Sequence, residues 1–232
     1  VLSFVAGLVN VTGFLSFKQL TTNVTGHFAL FVNDVSHFEF WKGTIYFLYI
    51  FSFLFGSFSS AFLLEKFNET KKLNVFALPT LMESLILISI PLLGHVTGLP
   101  NPDLVVCMLL FSMGLQNSYV TKISNAVVRT THLTGLFTDL GIELSQLLFP
   151  ITKLKRNSIK ATIKLRVYII GFFFLGGLAG GFFFSTMNLK LNTLLIGAAI
   201  LLLSLFYDDF RFWYLTSKRR HVKKTTLSKR AS

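Results

Sequence analysis

The feature that most constrains this chain is a series of long apolar stretches. They lie at residues 45–64, 75–93, 104–120, 167–187 and 191–207. Each has about the length, roughly 17–25 residues, that crosses a bilayer as a helix. Charged residues make up only 14% of the chain, against about 25% in soluble proteins. The sequence therefore predicts an all-α integral membrane protein with no separate soluble domain.

Turn residues and polar linkers divide the chain into eight helical segments. We place them at residues 1–17, 22–40, 43–66, 73–95, 102–121, 131–149, 164–187 and 191–210. Three short patterns recur in the same order in both halves: residues 7–10 match 114–117, 21–28 match 130–137, and Gly56-x-x-x-Ser60 matches Gly176-x-x-x-Gly180. We therefore predict two membrane repeats, residues 1–97 and 98–212, followed by a basic tail, residues 213–232.

The distribution of Lys and Arg indicates which segments cross. If all eight cross, as two parallel repeats, 15 basic residues lie on one side and 7 on the other. If the second and sixth segments are re-entrant, the two sides hold 19 and 3. Because basic residues are retained in the cytoplasm, the second arrangement is favoured. It predicts six transmembrane helices plus two re-entrant or half helices, arranged as inverted repeats, with the basic tail in the cytoplasm.

The candidate site follows from the starts of the two short segments. Thr22, Asn23 and Thr25 precede or begin the second segment, and their side chains suit a helix N-cap. Inverted symmetry would bring this start and the equivalent one in the second half toward the bilayer midplane. Backbone N–H groups and positive dipole ends would then face a small polar or anionic solute. The alternative is that the Thr-Gly motifs only pack helices closely.

Further polar residues complete the predicted binding set. Asn10 and Asn117 are equivalent in the two repeats, and Arg129 could balance an anion or Glu83. Glu83 is a candidate because an intramembrane carboxylate is costly and usually functional. Asp139 and Glu143 share one face of the sixth segment, where they could line the solute path. Asp139 and Glu143 could instead pair with Lys153 or Lys155. The full predicted solute-binding set is Asn10, Thr22, Asn23, Thr25, Gly26, Glu83, Asn117, Arg129, Thr131, His132, Thr134, Gly135 and Asp139.

Four pieces of the chain, in order, resemble a known family. They are residues 6–14 (Ala-Gly-Leu-Val-Asn-Val-Thr-Gly-Phe), Thr25-Gly26, residues 114–117 (Gly-Leu-Gln-Asn) and residues 128–135 (Val-Arg-Thr-Thr-His-Leu-Thr-Gly). Together they resemble the YoaK-like family of bacterial membrane proteins, a domain of unknown function. The resemblance implies a multi-pass protein of the bacterial cytoplasmic membrane and implies no particular activity.

Three functions remain open from the residues. We favour a transporter or channel for a small polar or anionic solute, and therefore not an enzyme. A membrane scaffold or sensor, whose basic tail engages lipid or a partner, is the first alternative, and an intramembrane enzyme using Glu83 or Asp139 is the second. We expect membrane lipid as a partner, no nucleic acid, and no metal or other cofactor. The paired Gly-x-x-x-Gly pattern at residues 176–181 predicts close helix packing, within the chain or in a homo-oligomer.

Overall fold

Every regular element in the described part of this computed structural model, residues 1–67, 77–97, 101–124 and 131–207, is helical. The helices are α1 (Leu2–Phe17), α2 (Thr25–Ser36), α3 (Phe40–Phe67), α4 (Ala77–Thr97), α5 (Pro102–Ile123), α6 (Leu133–Gln146) and α7 (Lys153–Gly181). A π-helical turn, Phe182–Thr186, extends α7, and a 3-10 turn, Lys190–Asn192, leads into α8 at residues 193–207. The all-α prediction is confirmed. The predicted basic tail lies outside the described residues.

The helices fall into long and short classes. Five are long and apolar enough to cross a membrane: α3, α4, α5, α7 with its π-helical turn, and α8 with its 3-10 turn. Helix α1 is apolar but has 16 residues, which makes it about 24 Å long. Helices α2 and α6 have 12 and 14 residues, or about 18 and 21 Å. Neither α2 nor α6 alone matches a hydrocarbon core of about 30 Å.

Lipid-facing surfaces are visible on the long helices. Helix α3 exposes the side chains of Phe47, Phe51, Phe55, Phe58 and Phe62 along its length. These positions recur every three or four residues, so they form one apolar stripe. The opposite side of α3 carries buried small residues that contact α5. An exposed aromatic stripe of this length is expected where the solvent is lipid, and the protein is accordingly an integral membrane protein.

Two close helix pairs organise the core, and glycine makes both possible. In the pair of α1 and α7, Gly7 lies against the backbone oxygen of Phe173, and Gly176 lies against the backbone oxygen of Phe4. Only the absence of a Cβ atom allows these contacts. The predicted close packing by Gly176 and Gly180 therefore occurs within the chain, where both face α1.

The second pair, α3 and α5, repeats this arrangement. Gly56 lies against the backbone oxygen of Phe111, and Gly114 lies against that of Phe53. Contacts between Tyr49 and Asp103 near one end, and between Glu65 and Lys122 near the other, show that α3 and α5 run parallel. Both pairs therefore use glycines on both helices to bring backbone against backbone.

Helices α1 and α5 run antiparallel through the centre of the molecule. Gln116, late in α5, donates to the backbone oxygen of Leu2 at 2.9 Å. Phe17, at the end of α1, packs near Val106 and Leu110, early in α5. Helices α4 and α8 cover this centre, contributing Leu87 and Ile90 and then Leu194, Ala198 and Leu201 to the main apolar cluster.

The starts of three helices differ from the sequence prediction. Helix α7 begins at Lys153 rather than near residue 164, with Thr152 as its N-cap, because the Thr152 hydroxyl accepts from the Lys155 N–H. Helices α2 and α6 begin at Thr25 and Leu133, slightly later than predicted, and neither start has a side-chain cap hydrogen bond. The threonines before these starts bond to asparagines of neighbouring helices instead.

Candidate functional site

The short helices α2 and α6 begin beside one cavity of about 440 Å³. Its wall is formed by Thr22, Asn23, Val24, Thr25, Phe53, Ser57, Asn117, Ser118, Thr121, Lys122, Thr131 and His132. These residues come from the two helix starts and from the facing sides of α3 and α5. We call this space the helix-start cavity.

The chain reaches the start of α2 by folding back along α1. Lys18 ends α1 in a left-handed conformation with φ of 56°. Residue Thr21 then packs on Gly13 and donates to the backbone oxygen of Val9 at 3.3 Å. The hydroxyl of Thr22 donates to Asn10 Oδ1 at 2.9 Å. These contacts hold the start of α2 beside the middle of α1, away from the helix ends.

A matching contact holds the start of α6. The side-chain amide of Asn117 donates to Thr131 Oγ1 at 2.7 Å and to the backbone oxygen of Met113 at 2.9 Å. In each half, then, an asparagine of a long central helix bonds to the threonine that precedes a short helix. Asn10 and Thr22 form one such pair, and Asn117 and Thr131 form the other.

The donors at the cavity are mostly uncharged. Hydroxyl groups of Ser57, Ser118 and Thr121 line α3 and α5. Those of Ser57 and Thr121 already donate to the backbone oxygens of Gly114 and Asn117, which leaves Ser118, within the described residues, as the free hydroxyl donor of the three. The first-turn N–H groups of a helix have no intrahelical partner, and no side chain caps either short helix. Lys122 supplies a positive charge and pairs with Glu65 of α3, whose side chain is largely exposed. The site therefore offers several neutral donors and one partly compensated cation.

Four of the predicted residues on the short helices do not line the helix-start cavity. Gly26 packs against Leu20 and Asn23, and the ring of His132 packs on Gly135. Thr134 is exposed on α6. Asp139 lies in a separate groove, where Arg166 Nη1 donates to it at 2.8 Å. Arg166 Nε also donates to Glu143 at 3.1 Å, so the partner of these carboxylates is Arg166 rather than Lys153 or Lys155.

The remaining two predicted residues are Glu83 and Arg129. Glu83 is fully buried between α4 and α5, where Tyr119 donates to it at 3.1 Å. Tyr119 is buried, whereas the adjacent Ser118 lines the cavity. Glu83 therefore lies behind the α5 wall rather than on it. Arg129 lies outside the described residues.

Several lining residues were not identified from the sequence. Ser57 follows Gly56, and Ser118, Thr121 and Lys122 follow Asn117 near the end of α5. The density of polar residues from Asn117 to Lys122, at the end of an otherwise apolar helix, is the signal that could have identified them.

A second polar cluster lies next to the start of α2. His27 is buried, contacts the backbone oxygen of Leu20 through Nε2 at 2.5 Å, and packs against the rings of Tyr46 and Tyr49. The Tyr49 hydroxyl in turn donates to Asp103 at 2.5 Å. This cluster joins α2, α3 and α5. Within the described ranges, no group of three or more His, Cys, Asp and Glu residues has the arrangement of a metal site.

Comparison with known proteins confirms the resemblance predicted from the sequence. Searches of curated proteins and of solved structures found no match to this chain. A family model described as "Protein of unknown function (DUF1275)" matches residues 1–207, which include α1 to α8 and therefore every residue around the helix-start cavity. The chain belongs to this family of proteins of unknown function.

Proposed function

We propose that this protein is a multi-pass transporter of a small polar solute, most readily an anion, in the bacterial cytoplasmic membrane. The observation that carries this proposal is the helix-start cavity, about 440 Å³ in volume, where α2 and α6 both begin. Interrupted helices whose starts meet beside a cavity are typical of transporter binding sites. Irregular backbone at membrane depth is tolerated where it lines such a cavity.

The proposed architecture has six crossing helices and two half helices in inverted repeats. Support comes from the antiparallel run of α1 and α5, which occupy equivalent positions in the two sequence repeats. The equivalent glycine contacts add to it: Gly7 on Phe173 corresponds to Gly114 on Phe53, and Gly176 on Phe4 corresponds to Gly56 on Phe111. The short lengths of α2 and α6 fit half helices.

The chemistry of the lining supports a polar or anionic solute. Hydroxyl and amide groups can replace part of a solute's water shell, and uncapped helix starts favour negative charge. Lys122 adds a cation, although Glu65 reduces its net effect. Mostly neutral donors suit moderate affinity, which lets a solute leave as well as enter.

We propose transport over a scaffold or an intramembrane enzyme for a structural reason. A scaffold has no need of a polar cavity, whereas the two Asn–Thr contacts place uncharged polar groups around one. The enzyme alternative would use the carboxylate of Glu83 or Asp139 at the cavity. The carboxylates of Glu83 and Asp139 contact Tyr119 and Arg166 elsewhere.

The test is uptake into proteoliposomes that contain the purified full chain, using a panel of small labelled anions and neutral polar compounds. Thr25→Val and Ser118→Ala remove hydroxyls from the cavity wall. If each hydroxyl donates to the solute, we expect about a tenfold loss of apparent affinity, since a hydrogen bond contributes roughly 0.5–1.5 kcal/mol.

Thr138→Val is the matched control, because this exposed α6 threonine bonds only to the backbone of its own helix. The proposal fails if no compound in the panel enters faster than in protein-free liposomes. It also fails if the cavity variants and the control change uptake equally.

A further inference from the structure

The buried carboxylate of Glu83 is a second polar site, separate from the helix-start cavity. Its side chain has no exposed surface, and it lies on α4 between apolar turns. Oε2 accepts a hydrogen bond from Tyr119 at 3.1 Å, and Oε1 has no hydrogen-bond partner among the residues that the structure describes. The Tyr119 hydroxyl is also hydrogen-bonded to Thr80, one turn before Glu83 on α4.

The charged and titratable groups on the packed helices leave Glu83 without a counter-ion in the described part of the chain. From α5, Tyr119 donates a hydrogen bond to it. Glu65 of α3 and Lys122 of α5 pair with each other at an exposed end. His95, three turns further along α4, contacts Asn192. A fully buried carboxylate without a cation is far more stable in its neutral, protonated form.

The two helices that share Glu83 and Tyr119 each line a different cavity. On α5, the neighbours of Tyr119 line the helix-start cavity. On α4, Pro91, Gly94 and His95 line a second cavity of about 520 Å³, beside Leu15 and Phe17 at the end of α1. Because α1 and α5 run antiparallel, the second cavity opens toward the opposite end of the bundle from Lys122.

The Glu83–Tyr119 contact therefore joins two helices that border different cavities, one where α2 and α6 begin and the other at the end of α1. Pro91, inside α4, removes one backbone hydrogen bond two turns beyond Glu83, which makes that part of the helix a natural place to bend. If α4 separates from α5, water reaches a carboxyl group whose Oε1 has no protein partner. The neutral acid can then release its proton to water and become a carboxylate.

We propose that Glu83 binds a proton and exchanges it with water as α4 and α5 separate, and that this exchange drives solute movement. The second part rests on the proposed transport function, whereas the first does not. A purely structural role would instead keep the proton permanently in place.

The proton site is tested by infrared spectroscopy of the full chain in liposomes. At neutral pH we expect the wild type to show the carbonyl band of a protonated carboxylic acid, and Glu83→Gln to lose it. The band should shift after transfer to D₂O. Glu65→Gln removes an exposed, paired carboxylate and should leave the band unchanged. Tyr119→Phe keeps the acid but should move the band, because the carbonyl loses its donor.

Two results overturn the proton site: a wild-type spectrum identical to that of Glu83→Gln in this region, or a band that never shifts in D₂O. If Glu83→Gln does not fold, Tyr119→Phe takes its place in the test. Absence of the acid band from the Tyr119→Phe spectrum would also mean that Glu83 is ionised, and would overturn the proton site.

The coupling is tested with whichever labelled compound the liposomes accumulate under a pH gradient. Glu83→Gln should retain exchange of internal for external compound but lose at least tenfold of the accumulation. Retained accumulation overturns the coupling. An exchanging Glu83 band with no compound transported contradicts the transport function and leaves the proton site standing.

Discussion

Replacing Gly176 with alanine tests the backbone contact between α1 and α7. A Cβ atom at position 176 would lie well within 3.0 Å of the Phe4 backbone oxygen, whereas ordinary van der Waals contact begins at 3.4 Å. The obstructing atom belongs to a helix backbone and cannot rotate away. The two helices must therefore separate, and their neighbouring contacts, including Gly180 on Leu8, must loosen with them.

The expected magnitude is the difference between two opposing effects. Alanine has a higher helix propensity than glycine by about 0.8–1.0 kcal/mol. Overpacking a well-packed contact costs about 1–3 kcal/mol. Since a backbone obstruction places the cost toward the upper part of that range, we expect Gly176→Ala to reduce the free energy of unfolding by about 1–2 kcal/mol.

Gly171 provides the matched control on the same helix. A Cβ atom at Gly171 would meet no other atom within 4 Å, so Gly171→Ala should leave stability unchanged or raise it by up to about 1 kcal/mol. The measurement is reversible unfolding of the purified protein in mixed detergent and SDS, followed by circular dichroism. Equal stability of the two variants would refute the packing argument.

Double variants sharpen the same prediction. Gly7 and Gly176 share one interface, so the separation caused by the first alanine relieves part of the second obstruction. Gly7→Ala with Gly176→Ala should therefore cost less than the sum of the single changes, by at least about 0.5 kcal/mol. Gly56 contacts α5 in the other pair, so Gly56→Ala with Gly176→Ala should be additive. Additivity in both combinations would contradict the close backbone contact of Gly7 and Gly176 in one interface.

Three further predictions concern the short helices and the orientation. Arg166→Gln should raise amide hydrogen exchange in α6 about fivefold, an effect of about 1 kcal/mol, because Asp139, which is half exposed, and Glu143 of α6 lose their ion pairs with α7. Lys164→Gln is the control, since Lys164 contacts Tyr168 instead, and equal exchange in both variants would contradict this role of Arg166. Thr131→Val should destabilise the protein by about 1 kcal/mol, since Asn117 loses a half-buried hydrogen-bond partner. Thr44→Val, at an exposed hydroxyl bonded within its own helix, should not; thermal unfolding distinguishes the two variants. In a Cys107→Ser background, single cysteines introduced at positions 158 and 228 should resist labelling from outside intact cells, whereas a cysteine introduced at position 42 should be labelled. Strong labelling at position 158 or 228 would contradict the proposed orientation.

The repeated motifs of the sequence indicated the starts of the two short helices because they concern local structure. Thr22 and Thr131 precede short helices in the structure, and both lie at the helix-start cavity. Helix-starting and helix-ending preferences act within one or two turns. A short segment of the chain therefore contains most of the information that decides where a helix begins or ends. The predicted capping role of these threonines did not appear, since asparagines on other helices accept or donate the hydrogen bonds instead.

By itself, the sequence determined that the protein is helical and that its helices are long and apolar enough to lie in a membrane. It also determined the order and approximate place of the helices, because hydropathy and length are properties of contiguous residues. Only the tertiary structure decided which way each helix faces. Contacts of glycines with backbone oxygens, such as Gly114 on Phe53, set the rotation of α5. That rotation turns Ser118 and Thr121 toward the cavity and Tyr119 toward Glu83. Similarly, the packing of α6 against α7 brings Arg166 to Asp139. Such choices depend on the fit between helices distant in sequence, which no local pattern contains.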